Sequence, residues 1–176
     1  QVKIMLLSMF DNEFWFGVGR GANYAVKELA LVGGVAEFVP ILSGDYKKTE
    51  EQVTNAIQRA IDQKYDGLII PGWMDTYGYA VKAIESGMKV MAYNCDCSPE
   101  IARVACLCPD SAEPGLMAAK SLVKDLEKTG QVAILHGDLE VGTNAERYKS
   151  FNEEIKKYGG IKVVDVDEID EKKTIK

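Results

Sequence analysis

The sequence predicts an α/β fold built on a parallel sheet, and three observations predict it. Short apolar runs alternate with stretches of helical spacing along most of the chain. The runs are continuously apolar rather than alternating, as strands covered on both faces are. Glycines fall where the helical patterns stop. Strand and helix taking turns in this way is the pattern of layered α/β architecture.

Val2–Ser8 (VKIMLLS) reads as the first strand. The stretch from Glu13 to Val32 follows as a helix, with Ala22, Ala25, Val26 and Leu29 at helical spacing and Gly33-Gly34 closing it. Val35–Ile41 is the second strand. SGDYKKTEEQ then leads into a helix running to Lys64, with Thr49 expected as its cap and Gln52 three residues on. Gly67–Pro71 is the third strand, 75–86 the third helix, stopped by Gly87, and 89–94 the fourth strand. After Asn94 the rhythm changes: CDCSPEIARVACLCPD holds a turn and a further apolar stretch but no helix. That marks 95–110 as a hinge between two lobes. Residues 112–128 form the next expected helix, stopped by Gly130. A strand at 131–136, a helix at 144–158 and a strand at 161–166 follow, before a polar tail. The expected division is an N-terminal α/β lobe, 1–104, and the start of a C-terminal lobe, 105–176.

At 176 residues, 47% hydrophobic and 27% charged, the chain has enough apolar material for a core. A net charge of −6 argues against a nucleic-acid partner, whose phosphates call for clustered Lys and Arg. No apolar run approaches the roughly 20 residues that span a bilayer. A start inside a strand, without a signal-peptide pattern, reads as that of a trimmed or processed chain.

The cysteines form two C-x-C pairs, Cys95/Cys97 and Cys106/Cys108. Four soft ligands for a metal, a disulfide and ordinary half-buried thiols are the competing readings. The last is favoured, because Cys106 and Cys108 sit in a strand-like run where i and i+2 share a face. Four thiols lean weakly toward a reducing compartment. GVGRGA (Gly17, Gly19, Gly21) falls inside a helical pattern and not in a turn straight after a strand. It therefore reads as a small-residue packing face and not a dinucleotide loop. The single histidine, His136, ends a strand, and no nucleophile has a recognisable setting around it. No catalytic residue, metal or cofactor is expected.

What stands out is the set of residues at the C-terminal ends of the strands, the edge where open parallel sheets bind ligands. Asp11, Asn12, Phe14 and Trp15 follow the first strand, and Trp73, Met74 and Asp75 the third. Asn94 and Asp96 follow the fourth, and His136, Asp138 and Asn144 lie after the strand at 131–136. Amides and carboxylates suit hydroxyl groups, and flat rings suit the C–H faces of a polyol. The competing reading makes Phe14 and Trp15 core residues of the first helix.

FDNEFWFGVGRGANYAVKELA, YDGLIIPG, AVKAIESGMKVMAYN, CPDSAEPGLMAAKSLVKDL and GQVAILHGDLEVGTNAERYKSF together resemble the type I periplasmic binding proteins. This ribose-binding-like family shares its fold with the effector domains of lactose-repressor-type regulators. The resemblance implies Rossmann-like parallel-sheet lobes of periplasmic-binding-protein-like I architecture, clamping a small solute. It also implies that the second lobe is incomplete, with roughly a hundred residues to follow Lys176. Its asparagine and aromatic pair fall on Asn12, Phe14 and Trp15. Its aspartate after the fourth strand falls on Asn94, the arginine that follows on Cys95, and Asp96 is the stand-in for the aspartate. Its second-lobe sugar-binding arginine falls on Ala145, with Arg147 matching a structural arginine one turn on.

The resulting expectation is a non-enzymatic solute-binding domain serving ABC-type uptake, with a sugar-like ligand and a membrane permease as partners, in an extracytoplasmic setting. Its ligand residues would be Asn12, Phe14, Trp15, Trp73, Asn94, Asp96 and Asn144. The alternative is a ligand-sensing domain of a lactose-repressor-type regulator, in the cytoplasm, or of a chemoreceptor.

Overall fold

The computed structural model describes the whole chain except residues 10, 11, 43–45, 99, 100, 138, 140, 141 and 170–176. The chain divides into two compact units, Gln1–Cys108 and Pro109–Lys176. No described helix is long and apolar enough to cross a membrane.

The first unit holds strands β1 (Lys3–Met9), β2 (Val35–Ile41), β3 (Gly67–Pro71), β4 (Lys89–Tyr93) and β5 (Ala105–Leu107). They form one parallel sheet in the order β2-β1-β3-β4-β5. Helices α1 (Glu13–Leu31), α2 (Tyr46–Asp62) and α3 (Tyr79–Glu85) connect them. Val53, Ala56, Ile57 and Ala60 recur along one stripe of α2, and with Ala80 and Ala83 of α3 they are buried in one cluster. Opposite them, alternate strand residues Met5, Leu7, Leu68, Ile70, Val90 and Ala92 are fully buried. The residues between, Ile4, Leu6, Ile69 and Met91, face the other way and are only half-buried, where α1 lies over β1 and β2. β2 is tied to α2 by Glu37, whose two carboxylate oxygens take Arg59 Nη1 at 2.7 and 2.8 Å. The Tyr65 hydroxyl donates to the same carboxylate at 2.7 Å.

Several local expectations change. Thr49 is not a cap: α2 is already running at Tyr46, and Thr49 is buried within it. Gln52 instead reaches back to Leu42, accepting its N–H and donating to its carbonyl, both at 2.9 Å. The helix expected over 75–86 is a 3₁₀ turn, Gly72–Tyr77, followed by α3, because Gly78 between them is left-handed at φ 67°. Gly72 itself is demanded by a close approach: its N–H donates to Cys95 O at 3.1 Å, and a Cβ there would collide with that carbonyl and with Asp96. Within α1, Gly19 is buried, but a side chain at Gly21 would meet nothing within 4 Å, so the glycine packing face reduces to one position. Cys106 and Cys108 are joined as a disulfide with Cα atoms 5.9 Å apart and are not free thiols. Cys97 is buried, and burial pushes the half-buried Cys95 thiol up. β5, at 105–107, pairs with β4, so these residues stand in the first unit although the sequence suggested the second lobe begins there.

The second unit has α4 (Ala112–Asp125), β6 (Gly130–His136), α5 (Gly142–Ile155) and β7 (Ile161–Glu168). β6 and β7 are parallel, and Ala119, Val123, Val132, Ile155 and Ile161 form a small core. α4 and α5 pack closely at Gly115, where a Cβ would strike Arg147 O and Ser150 Oγ. The Ser150 hydroxyl donates to Ala112 O at 2.7 Å. Glu154, on α5, is buried and takes Lys157 Nζ at 2.6 Å and the Tyr158 hydroxyl at 3.3 Å.

Two predictions concern stability. Gly115→Ala should destabilise by about 1–3 kcal/mol through overpacking against backbone. Gly21→Ala, in open space on a helix, should stabilise by up to about 1 kcal/mol; denaturant melts of both variants check the contrast. The hydrogen bond from Lys157 lowers the Glu154 pKa below its ordinary 4.5. The stabilisation is therefore present above 4.5 and lost as pH falls through the lowered folded value. Glu154→Gln should melt earlier than the parent at neutral pH, with the gap closing as the pH drops below that range.

Candidate ligand-binding site

In the first unit the site grows from the β1–α1 junction. Asn12 is extended (φ −154°, ψ 171°) and caps α1, its Oδ1 accepting the Trp15 N–H at 3.3 Å. The cap fixes the first turn and so the directions in which Phe14 and Trp15 leave it. Phe14 is 60% exposed, far from the core position that the competing reading gave it. Its ring meets Trp15 edge-on with centroids 4.9 Å apart. Trp15 is half-buried against the sheet core and in turn meets Tyr93 edge-on at 6.4 Å. The Tyr93 hydroxyl donates to Leu7 O at 3.0 Å. Burial pushes that phenol up to about 12, opposed by the Ser8 hydroxyl beside it. Ser8 is fully buried, and its hydroxyl finds no hydrogen-bond partner of good geometry among the described residues.

Asn94, just after β4, is half-buried and left-handed at φ 67°, a conformation asparagine tolerates better than most residues. Its N–H donates to Leu107 O at 3.0 Å, and the Cys95 N–H turns back to Tyr93 O at 2.8 Å. Asparagine at the position matched to an aspartate thus has a backbone reason. Asp96 is committed within its own loop: one carboxylate oxygen accepts the Cys97 N–H at 2.8 Å and the other is ion-paired with Arg103. That pairing is the main cause of the raised Arg103 pKa. Trp73 is half-buried against the core, and Met74 is wholly buried in it. Asp11 and Asp138 lie outside the described residues.

In the second unit, Asn144 stands in the first turn of α5 beside a cavity of about 300 Å³ at the end of β6. His136, Gly137, Arg147, Tyr148 and Phe151 also line it. The cavity lies where the N-terminal turns of α4 and α5 approach, the end of a helix that favours ligand oxygens carrying negative charge. His136 Nδ1 donates to Gly137 O at 2.8 Å, which leaves Nε2 as the acceptor in the neutral ring. The imidazole lies 5.1 Å from the Tyr148 ring. Gly137 makes room for Asn144: a Cβ there would lie 2.8 Å from Asn144 Nδ2.

The structure thus brings Asn12, Phe14, Trp15 and Tyr93 into one group, and Asn144 with His136, Arg147 and Tyr148 into another. Tyr93, Arg103, Arg147 and Tyr148 were not picked out as ligand residues from sequence. Arg147 had a signal: the second-lobe arginine that the resemblance implies is the sixth residue of a G-T-S-x-x-R pattern, and counted from Gly142 (GTNAER) that position is Arg147 and not Ala145. Tyr93 was legible only as the residue before the last in the fourth expected strand, 89–94.

The family model described as a periplasmic binding protein domain matches residues 4–175. No curated protein sequence matches. Among solved structures, an ABC transporter solute-binding protein from Burkholderia graminis, in complex with D-arabinose, is 25% identical with a TM-score of 0.75. The alignment covers 97% of this chain and 57% of that one. The XylFII–LytSN complex aligns at 28% identity and TM-score 0.73, over 97% of this chain and 61% of the other. GanP, a glucose-galactose binding protein from Geobacillus stearothermophilus, shares the fold at 24% identity and TM-score 0.77, over 95% and 58%. The chain therefore spans about three fifths of the length of these solved relatives. With a single family model running over nearly its entire length, and these structures sharing its fold, the chain belongs to the periplasmic binding protein family.

Proposed function

We propose that the protein binds a small sugar-like solute between two hinged lobes, as the substrate-binding component of an ABC-type uptake system. The observation that carries this is the aromatic wall at the start of α1. Phe14, exposed and braced by Trp15, offers a flat apolar face beside the polar cap residue Asn12. A relative of 25% identity whose complex holds D-arabinose supports the class of ligand.

In this reading Phe14 and Trp15 cover the C–H face of the sugar, with Trp73 adding contact area. Asn12, Asn94 and Asn144 orient hydroxyls, together with Arg147 from the cavity at the end of β6. Asp96 serves through its loop, since Arg103 and the Cys97 N–H already occupy its oxygens. The hinge is assigned to 95–110, and closure is the state favoured when one solute contacts both lobes. The setting is extracytoplasmic and the reading non-enzymatic. A membrane permease is the proposed partner. A sensing role, with a signalling protein in its place, is the second reading, favoured by the XylFII–LytSN complex at 28% identity.

Thermal melts of the chain against D-arabinose, D-allose, D-glucose, D-galactose, polyols and nucleosides test the proposal. A true ligand at a hundredfold excess over Kd should stabilise by about 2.7 kcal/mol. Trp15→Ala should abolish the shift, and Arg147→Met should reduce it while leaving the unliganded midpoint near that of the parent. Silence across the sugars from a folded sample would overturn the sugar reading.

A further inference from the structure

Three aromatic rings stand in series at the edge of the first sheet, and only the outer two belong to the proposed ligand wall. Tyr93 is the third. In the parallel register Pro71 of β3 is the partner of Tyr93 of β4, and β3 separates β4 from β1. To donate its hydroxyl to Leu7 O at 3.0 Å, the Tyr93 side chain must lie across β3 and reach β1. Its ring is thereby fixed at both ends, by its own strand and by the carbonyl of another. Trp15 meets this fixed ring at an interplanar angle of 81°, and Phe14 meets Trp15 at 84°. Each edge-to-face contact constrains the plane of the next ring, because the electron-poor edge of one prefers the electron-rich face of the other.

We infer that Tyr93 is the positioning residue of the ligand wall, setting the planes of Trp15 and, through it, Phe14 from an anchor on β1. The inference rests on the reading that Phe14 and Trp15 contact the ligand, but the ordering of the rings does not depend on any ligand being present. A phenol is already protonated at physiological pH and burial only raises it further, so its O–H remains a donor to Leu7 O. Phe14 needs such support. At 60% exposed, and with Trp15 as its ring contact among the described residues, it is lightly held, and an unordered ring would have to be ordered at the expense of binding. Tyr93 also precedes Asn94 directly, so the anchor fixes the start of the turn that carries that amide.

The test separates ring order from binding. The chain has two tryptophans, so a Trp73→Phe background leaves Trp15 as its single indole. In that background, near-ultraviolet circular dichroism and acrylamide quenching report the order and shielding of Trp15. Tyr93→Leu should lose the indole band and raise the quenching, and Tyr93→Phe, which keeps the ring but loses the hydroxyl anchor to Leu7 O, should show the same changes in part. If the leucine variant fails to fold by far-ultraviolet dichroism, Tyr93→Met fills the same space with an unbranched chain and takes its place. An indole band and quenching unchanged in a folded Tyr93→Leu or Tyr93→Met protein would overturn the inference. A second arm, with Trp73 intact, measures calorimetric affinity for D-arabinose. Loss of the ring should weaken binding by about tenfold, with a smaller loss in Tyr93→Phe, which keeps the ring without its anchor. If the parent binds no D-arabinose, the arm is run with the sugar that shifts the melt; if none of the panel binds while the spectroscopic arm succeeds, the ligand reading fails and the positioning role stands.

Discussion

Parallel register in the first sheet is the constraint on which the rest depends. Ile4, Gly67 and Lys89 lie level on β1, β3 and β4, so the three strands run out together and hand over to their loops at one edge. Burial enforces that alignment: a slip of one residue would turn Met5, Leu7, Leu68, Ile70, Val90 and Ala92 away from α2 and α3. Asn12, Trp73 and Asn94 are far apart in sequence and become neighbours of one edge for this reason alone. Nothing in their own chemistry draws them there.

The loops then settle how each edge residue is presented, and here the polar backbone decides more than the side chain does. Gly72 permits the turn after β3 to touch the turn after β4, and Asn94 takes a left-handed conformation to make that second turn. Asp96, two residues on, is absorbed by Arg103. A carboxylate placed at a strand end by sequence position can therefore serve the loop's own stability. The choice between the two roles lies in a partner seven residues away that no local pattern announces.

Strands and helices were legible because their signals are local and repeated. Val35–Ile41 and Gly67–Pro71 were read to the residue, since each is an apolar run bounded by glycine, polar turn residues or both. The third helix was misread because its apolar spacing continues through Gly78, and only the backbone angle there breaks it. Thr49 looked like a cap because Gln52 stood three residues on, whereas Gln52 was paired with Leu42, ten residues back. Phe14, Trp15 and Asn144 could be picked out because their types are unusual at such ends. Tyr93 could not, because its function follows from reaching over a neighbouring strand, a relation that exists only once the sheet order is known.

The two faces of that sheet are sealed unequally. α2 commits Val53, Ala56, Ile57 and Ala60 to the core, whereas α1 buries only Gly19 and Ala22, over strand residues that stay half-exposed. Among the described residues, lifting α1 thus strips far less apolar area than lifting α2 and lies lower on the ladder of partial openings. The first unit has a hard side and a soft side, and the helix that carries the aromatic wall belongs to the soft one. Shape adaptation around a guest can be confined to α1 while the sheet beneath keeps its form.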